Sequence, residues 1–329
     1  MRWMNRLLLV TGAGGFIGSH LVEALVGQGA TVRAFVRYNS RNDIGLLQFL
    51  SAAKLEKVEI VAGDLRDFHA VKQATEDVSC IFHLGALIAI PYSYRHPREV
   101  VETNVMGTLN VLMAAHECQV DRLVHTSTSE VYGTALLVPL NENHPLQGQS
   151  PYSASKIGAD KLVESFYCAY GLPVATIRPF NTYGPRQSAR AVIPTIIAQA
   201  LTRDRILLGD TTSSRDFTYM DDTVRGFLRV AESEQALGEV INIGSNEEVS
   251  IGDLARKIMA LVGRDVPIVT DEQRIRPARS EVKRLRADNA KAKELLGWSP
   301  RISLDEGLAR TIVWISEKLD QYEPGKYQI

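Results

Sequence analysis

Short apolar runs alternate along the chain with longer stretches in which apolar residues recur every three or four positions. Runs of the first kind have the length of buried strands, and the second spacing is typical of helices that pack one face against a sheet. This alternation predicts an α/β protein in which helices join parallel strands. The predicted strands are residues 7–10, 31–36, 58–62, 79–84, 123–125, 174–177 and 240–243.

A glycine-rich loop follows the first predicted strand. Residues 11–18 read Thr-Gly-Ala-Gly-Gly-Phe-Ile-Gly, and helical spacing begins at residue 19. Gly12 permits a sharp turn, Gly15 lets backbone N–H groups approach a pyrophosphate, and Gly18 lets the helix pack close to the strand. The loop predicts a doubly wound parallel Rossmann sheet, with cofactor contacts from Gly12, Gly15, Phe16, Ile17 and Gly18.

The end of the second predicted strand bears on the choice between NAD and NADP. An acidic residue is usual about twenty positions beyond the loop when NAD binds, and this strand ends without one. Arg37 and Arg41 are suited to pair with the 2′-phosphate of NADP, and Asn39 and Ser40 can donate hydrogen bonds to it. We therefore expect tightly bound, recycled NADP or NAD, with NADP favoured. The alternative is that the arginines are solvated and NAD binds through backbone contacts.

Further cofactor contacts are expected at the ends of the next two strands, because ligands of such sheets bind outside the carboxyl ends of the strands. Asp64 is placed to accept a hydrogen bond from the adenine amino group, and Leu65 to cover the ring. Leu84 and Ala86 follow the next strand at the same edge.

Composition narrows the class of protein. The chain has 329 residues, of which 45% are hydrophobic and 23% charged, enough for one large domain with an appendage or two modest ones. Its 37 basic and 38 acidic residues give no field that would favour nucleic acid or an anionic membrane. No apolar run approaches the ~18 residues of a membrane span, and no signal peptide is evident. We expect a cytoplasmic protein without a metal, whose cysteines are free thiols packed in the core, namely Cys80, Cys118 and Cys168.

Hydroxyl groups and one carboxylate follow the fifth predicted strand. Residues 126–133 read Thr-Ser-Thr-Ser-Glu-Val-Tyr-Gly and belong at the crevice edge. A long helix then begins near Tyr152 and Lys156, which share a face because they are four residues apart. A free tyrosine, with a pKa of about 10, is a poor base at neutral pH, but a neighbouring ammonium and an oxidised nicotinamide favour its phenolate. Tyr152 is thus a candidate general base.

These motifs resemble the extended short-chain dehydrogenase/reductase superfamily, in its nucleotide-sugar branch. The likeness covers nearly the whole chain and keeps the family's order of motifs: residues 11–18, Asp64, residues 83–86, residues 126–133, Tyr152 with Lys156, residues 178–186 and residues 215–222. It implies that Thr128, Tyr152 and Lys156 act on a hydroxyl of a nucleotide-sugar substrate while hydride passes to the nicotinamide.

Glu130 bears on the reaction, which in this branch is 4-epimerisation, decarboxylation or 4,6-dehydration. A dehydratase needs a second base to remove the C5 proton, and Glu130 is placed for this, whereas an epimerase needs none. The dTDP-glucose dehydratases carry Thr-Asp-Glu, in which the Asp protonates the departing hydroxyl, but Ser129 stands in the middle here and is a poor acid. GDP-mannose 4,6-dehydratases and UDP-glucuronate decarboxylases resemble the chain in carrying Thr-Ser-Glu.

Residues 126–133, 149–161 and 180–191 look most like those of bacterial NDP-N-acetylglucosamine 4,6-dehydratases of the legionaminic acid type. We therefore expect a 4,6-dehydratase that converts UDP- or GDP-N-acetylglucosamine to the 4-keto-6-deoxy sugar. The alternatives are a UDP-glucuronate decarboxylase, a UDP-sugar 4-epimerase, and a non-enzymatic dinucleotide-sensing regulator. The expected catalytic residues are Thr128, Ser129, Glu130, Tyr152 and Lys156.

The second half of the chain is expected to hold the substrate. Residues 1–180 with about 220–247 are predicted to form the dinucleotide-binding domain, and about 181–219 with 248–329 a smaller C-terminal substrate-binding lobe. The resemblance places Asn181 on the diphosphate of the sugar nucleotide. Arg215 is a candidate to hold diphosphate oxygens bidentately, with Arg276 as a second, unless Arg276 belongs only to a solvated basic stretch.

A helix is predicted over residues 100–119, with one apolar side that should pack on the sheet. That side comprises Val101, Val105, Leu109, Leu112 and Met113. The resemblance also implies a homodimer through this helix and the one that begins near Tyr152.

Overall fold

The computed structural model describes residues 3–322, and a seven-stranded parallel sheet lies at its centre. The strands are β1 (Leu7–Thr11), β2 (Thr31–Arg37), β3 (Val58–Gly63), β4 (Cys80–His83), β5 (Arg122–Thr126), β6 (Val174–Pro179), β7 (Asn181–Tyr183), β8 (Ile206–Leu208), β9 (Ser214–Arg215), β10 (Phe217–Tyr219), β11 (Val240–Ile243), β12 (Val249–Ser250) and β13 (Ile268–Thr270). All seven predicted strands belong to the central sheet; the strand at residues 240–243 has the predicted ends, and the ends of the others are shifted by at most two residues.

The order of strands across the sheet is β11-β6-β5-β4-β1-β2-β3. The chain winds outward from β1 to β2 and β3 on one side, then returns to β4 and continues the other way. This reversal between β1 and β4 opens a crevice at the carboxyl ends of the strands, where such sheets bind ligands. The predicted doubly wound α/β fold is confirmed.

Helices cover both faces of this sheet. The helices are α1 (Phe16–Gly27), α2 (Ala52–Leu55), α3 (Phe68–Thr75), α4 (Ile90–Arg95), α5 (Pro97–Val101), α6 (Gly107–Glu117), α7 (Pro151–Tyr170), α8 (Val192–Thr202), α9 (Met220–Glu232), α10 (Ile251–Val262), α11 (Ala290–Leu296) and α12 (Leu304–Ser316). One buried apolar cluster joins α1 and α9 to the sheet, and another joins α3, α6 and α7 to it. The sheet is therefore the middle of three layers.

A further apolar core lies among α8, α10 and α12. Its members come from residues 183–219 and 251–322, as expected for a separate smaller lobe. The domain boundaries themselves stay a prediction, and residues 1–2 and 323–329 of the predicted domains lie outside the described part of the chain. None of the described helices is long and apolar enough to cross a membrane.

The helix predicted over residues 100–119 is interrupted, and the packing predicted for its apolar side is partly wrong. A π-helical segment, Glu102–Met106, separates α5 from α6. A π-helical turn contains more residues than an α-helical turn. It therefore rotates the apolar face of the following helix relative to that of the preceding helix. Leu112 is buried, but Val101 and Met113 are 44% and 36% exposed, as is Met106 at 47%.

The cysteines also depart from expectation. All three are free thiols, as predicted, but only Cys80 is fully buried. Cys118 is half-buried and Cys168 is exposed, because each lies at or near the end of a helix that covers the sheet from outside. The prediction of core packing is therefore wrong for Cys168.

One edge of the sheet, β11, is covered by side chains from the segment after β5. The backbone N–H of Asn242 donates to the Glu142 carboxylate at 2.8 Å, and its side-chain amide donates to the Leu140 carbonyl at 3.0 Å. Asn242 also accepts a hydrogen bond from the Tyr132 hydroxyl at 2.8 Å. The outward-facing backbone N–H of Asn242 and its side chain are thereby paired within the chain.

Candidate active site

The glycine loop between β1 and α1 has the geometry that its sequence predicts. Gly12 adopts a φ of +69°, and a Cβ there would lie 2.8 Å from the Gly85 nitrogen. A Cβ on Gly18 would lie 2.2 Å from the Gly12 carbonyl oxygen, so α1 packs directly against the loop. Helix α1 starts after Gly15 without a side-chain cap, which leaves its N-terminal N–H groups to an anion. These residues fit the pyrophosphate of a dinucleotide.

At the end of β2, Arg37 is exposed and its guanidinium lies 3.4 Å from the Glu99 carboxylate. Glu99 also accepts a hydrogen bond from the Tyr92 hydroxyl. Asn39 organises its own loop: its amide donates to the Asp43 carbonyl at 2.8 Å and accepts from the Asp43 N–H at 2.9 Å. Ser40 lies in the same loop. The roles of Arg37, Asn39 and Ser40 toward a ribose phosphate stay predictions.

The ends of β3 and β4 lie on either side of the end of β1. Asp64 holds the Arg66 guanidinium at 2.6 Å, and this hydrogen bond lowers the pKa of its carboxyl. Leu65 is buried. The loop that carries Leu84 and Ala86 is fixed by the Thr11 hydroxyl, which accepts from the Gly85 N–H at 3.0 Å. The structure thus brings the predicted cofactor residues of three strands to one edge.

A tight turn after β5 presents the predicted catalytic hydroxyl and carboxylate. The 3-10 segment Ser129–Tyr132 is capped by Thr128, whose hydroxyl accepts from the Glu130 N–H at 3.2 Å. Glu130 is half-buried, whereas Ser129 is only 3% exposed. The middle residue of the Thr-Ser-Glu sequence is therefore turned into the protein far more than its neighbours.

Helix α7 carries Tyr152 and Lys156 into the same region. It begins with Pro151 behind a reciprocal cap, in which Ser150 and Ser153 exchange two hydrogen bonds of 3.0 Å. Both Tyr152 and Lys156 are buried. Their positions on one helix face agree with the predicted spacing.

The ionisation of this pair is governed mainly by burial. Burial raises the pKa of Tyr152 far above its ordinary value; a hydrogen bond with Thr128 opposes the rise, and the charge of Glu130 adds to it. Burial lowers the pKa of Lys156 to about 8, which Asp160 opposes. The chain by itself therefore favours the neutral phenol of Tyr152.

Sequence reasoning missed a group of buried ionisable residues beneath this pair. Asp160 continues the face of α7 that carries Tyr152 and Lys156, since it lies one turn further along. His83 and His125 lie beside them with ring centroids 5.7 Å apart, and burial lowers the pKa of each, that of His125 to about 4. Tyr152, Lys156 and Asp160 are spaced four residues apart, which places them on one helix face. This spacing was the sequence signal that could have identified Asp160.

The predicted diphosphate anchors converge on one carboxylate. Glu281 lies 3.1 Å from Arg215 and 3.8 Å from Arg276. One terminal nitrogen of Arg276 is buried without a hydrogen-bond partner. Beside them is a cleft of about 350 Å³, lined by Arg276, Glu281, Asp210 and Lys283 among others. Arg276 therefore lies at a cleft rather than on an open surface.

Asn181 lies at the start of β7, next to this region. Its amide donates to the Asp216 carbonyl at 3.3 Å, and its N–H to the same oxygen at 3.1 Å. Its role toward a diphosphate stays a prediction. Among residues 3–322, no group of three or more His, Cys, Asp or Glu side chains could hold a metal ion.

Comparison with known proteins decides the family. The sequence pattern of the GDP-mannose 4,6 dehydratase family matches residues 9–311. The chain belongs to the GDP-mannose 4,6 dehydratase family. This membership confirms the predicted nucleotide-sugar branch of the extended short-chain dehydrogenases/reductases, and it makes the chain an enzyme of that branch.

Relatives of this GDP-mannose 4,6 dehydratase family member catalyse different reactions. UDP-glucose 4-epimerase of Mycolicibacterium smegmatis is 35% identical over 317 residues, covering 94% of this chain and 98% of the epimerase. UDP-glucuronic acid decarboxylase 6 of Arabidopsis thaliana is 34% identical over 318 residues, covering 92% of this chain and 87% of the decarboxylase. DesIV, the dTDP-glucose 4,6-dehydratase of Streptomyces venezuelae solved with NAD and TYD bound, superposes with a TM-score of 0.86 at 32% identity, covering 97% of this chain and 100% of that one.

Proposed function

We propose that this enzyme is a nucleotide-sugar 4,6-dehydratase that acts on UDP- or GDP-N-acetylglucosamine and releases the 4-keto-6-deoxy sugar. The observation that carries the proposal is the position of Glu130. Its carboxylate shares a turn with Thr128 and lies close enough to Tyr152 to raise the pKa of the phenol. Dehydration needs such a second base, and 4-epimerisation does not.

Each group has a distinct task in the proposed reaction. A bound nicotinamide ring supplies reversible oxidation at C4 and reduction at C6. Tyr152 removes the proton of the C4 hydroxyl, Thr128 hydrogen-bonds the forming carbonyl oxygen, and Lys156 provides positive charge beside the phenolate. The C4 carbonyl acidifies the C5 proton, which Glu130 removes as the C6 hydroxyl departs as water. When C6 is reduced, C5 takes up one proton, which balances the proton that Tyr152 removed from the C4 hydroxyl.

Glu130 is also the proposed acid for the departing hydroxyl. Ser129 is a poor proton donor and is nearly fully buried, so it is not presented to the crevice. After taking the C5 proton, Glu130 is a neutral carboxylic acid and can deliver that proton to the C6 oxygen. We propose that one carboxyl group performs both steps.

Decarboxylation of a UDP-glucuronate is the second candidate. The buried Ser129 favours it, because loss of carbon dioxide from C5 requires no acid at C6. The decarboxylase of Arabidopsis thaliana shows that a close relative supports this chemistry. We place it second because it leaves Glu130 without a proton to remove from C5.

The nucleotide portion of the substrate is proposed to lie along Arg215 and Arg276. Guanidinium groups bind phosphate oxygens bidentately, and the adjoining cleft of about 350 Å³ has the size of a small-molecule site. Binding there requires the diphosphate to take over partners that now belong to Glu281. Asn181 is proposed as a further diphosphate contact.

The cofactor is proposed to be NADP or NAD, with NADP favoured. DesIV holds NAD, which supports a nicotinamide dinucleotide in this crevice. The preference for the phosphorylated form rests on Arg37, whose side chain is 67% exposed at the end of β2. Its partner Glu99 is the group that a ribose phosphate would have to displace.

We also propose a homodimer through the outer faces of α5, α6 and α7. Val101, Met106 and Met113 are exposed apolar residues on the first two helices and the π segment between them, and Tyr167 and Tyr170 are exposed on α7. Five such side chains on neighbouring helices exceed what isolated surface exposure accounts for.

The experiment is incubation of the purified enzyme with UDP-, GDP- and dTDP-sugars, followed by mass spectrometry. Loss of one water from an N-acetylglucosamine nucleotide is the expected result. Carbon dioxide release from UDP-glucuronate would support the second candidate instead. An unchanged mass with a C4 that proton NMR shows to be inverted would identify an epimerase and overturn the proposal.

A further inference from the structure

The carboxylate of Asp160 is enclosed by three hydrogen-bond donors beneath the candidate catalytic residues. One oxygen is 3.1 Å from His125 Nε2. The other accepts from the Ser127 hydroxyl at 2.6 Å and from the Arg178 guanidinium at 2.8 Å. Asp160 and its partners on β5 and β6 are buried. The carboxylate thus joins α7 to the two neighbouring strands.

Arg178 reaches both ends of the catalytic turn. Its guanidinium donates to the Ser127 hydroxyl at 3.3 Å and to the Tyr132 hydroxyl at 2.8 Å, and it lies 4.8 Å from the centre of the Tyr132 ring. Ser127 precedes Thr128, and Tyr132 closes the 3-10 segment that carries Glu130. A single buried guanidinium therefore fixes the segment that presents the proposed hydroxyl and carboxylate.

We infer that Asp160 and Arg178 are positioning residues that hold the turn of residues 127–132 against helix α7. Thr128 and Glu130 come from the turn, and Tyr152 and Lys156 come from the helix. The two halves of the site therefore meet only if the turn and the helix stay packed together at a fixed separation. Asp160 bonds the turn directly through the Ser127 hydroxyl, and Arg178, on β6, links Asp160 to Tyr132 at the other end of the turn. This inference rests on the proposed function for the roles of the four residues, but its geometry does not depend on the sugar.

Asp160 has a second, electrostatic effect on the same helix. Lys156 lies one turn before it, and the charge of Asp160 raises the Lys156 pKa against the lowering caused by burial. The other titratable groups around Lys156 are His83 on β4 and His125 on β5, both of which burial holds neutral, and Tyr152 on α7. Asp160 is therefore the anion that keeps Lys156 protonated.

The electrostatic part is tested by titrating Lys156 directly in the whole protein. NMR of enzyme labelled with carbon-13 at lysine Cε reports each ammonium, and the Lys156 signal is the one lost in Lys156→Arg. Asp160→Asn should move its midpoint below that of the wild type, whose Lys156 pKa burial lowers to about 8. A midpoint unchanged from wild type would overturn this part.

The positioning part is tested with Ser127→Ala, which removes one hydroxyl and no charge. Because errors of about 1 Å in a site cost up to ~10²-fold in rate, kcat should fall about tenfold or more with KM little changed. The Lys156 midpoint should stay at the wild-type value. A kcat equal to that of the wild type would refute the inference that these contacts hold the turn of residues 127–132 in place.

The matched control is Arg122→Met, which removes the buried arginine of the neighbouring strand β5. Arg122 pairs with Glu234 at 2.5 Å at the opposite end of the strand. Both kcat and the Lys156 midpoint should stay unchanged in it. If wild-type enzyme turned over no nucleotide sugar, the proposed function would fail, but the Lys156 titration would still decide the role of Asp160.

Discussion

The Glu130 carboxylate lies close enough to the buried phenol of Tyr152 to raise its pKa. The two groups come from different elements, the turn after β5 and helix α7, and they meet at the carboxyl edge of the sheet. The proposed base for the C4 hydroxyl and the proposed base for the C5 proton therefore lie on the same side of the site, as dehydration of one sugar ring would require.

Replacing Glu130 by Gln should separate the two steps. In the proposed mechanism oxidation at C4 needs only Tyr152, Thr128 and Lys156, so reduced cofactor should accumulate when the substrate is added. Water loss should slow by about 10²- to 10⁴-fold, the usual contribution of a general acid or base. Cofactor absorbance and product mass are the measurements. A variant that dehydrates at nearly the wild-type rate would remove Glu130 from the mechanism.

The pH dependence of kcat/KM should reflect the ionisation of Lys156. Its pKa is lowered by burial to about 8, so the ammonium is present below that pH and lost as the pH rises through it. kcat/KM, which reports the free enzyme, should therefore fall on the alkaline side near pH 8. The Lys156→Arg variant keeps its positive charge at all accessible pH values. Its kcat/KM should therefore not fall on the alkaline side, although its overall activity should be lower.

The matched control for that profile is Lys161→Arg. Lys161 lies on the same helix but is exposed and pairs with Glu164. Its variant should keep the wild-type profile, and an alkaline limb that survived in Lys156→Arg would show that another group causes it.

Cofactor choice should depend on Arg37 and its partner. Arg37→Ala should weaken NADP binding by about tenfold or more and leave NAD binding nearly unchanged, because a charge-assisted hydrogen bond contributes roughly 1.5–3 kcal/mol. Glu99→Gln should strengthen NADP binding by freeing the guanidinium. Fluorescence titration with both cofactors measures this. Equal or tighter binding of NAD by wild-type enzyme would refute the preference.

The proposed dimer should be sensitive to charge on its apolar faces. Met113→Glu places a carboxylate on the exposed part of α6, and burying an unpaired charge in an interface is costly. Sedimentation should show the variant as a monomer and the wild type as a dimer. Leu261→Glu, at an exposed leucine on α10 in the other lobe, is the control and should not change the assembly. A wild-type monomer would overturn the proposal.

The sequence was sufficient for features that depend on local pattern. The seven strands, the glycine turn and the shared face of Tyr152 and Lys156 follow from periodicity and from residues with special backbone freedom. The π segment before α6 was not predictable, because nothing in its spacing differs from a regular helix until the packing of Leu112 and Met113 is seen.

Pairings between residues that lie far apart in the chain could not be predicted from the sequence either. Asp160 and Arg178 meet because α7 packs over β6, and Arg215 and Arg276 meet at Glu281 through the fold of the smaller lobe. The sequence could suggest each residue as charged and available, but not which partner would neutralise it. The same holds for Glu99, which lies 62 residues from Arg37.

The side-chain cover on strand β11 links the reaction centre to the solubility of the folded chain. Asn242 at this sheet edge is held by Tyr132, which also ends the catalytic turn. Loosening that turn would release the Asn242 side chain, next to the backbone N–H that Glu142 pairs, and an exposed sheet edge can template pairing with another molecule. We therefore expect heat-inactivated enzyme to be recovered as aggregate rather than as inactive monomer.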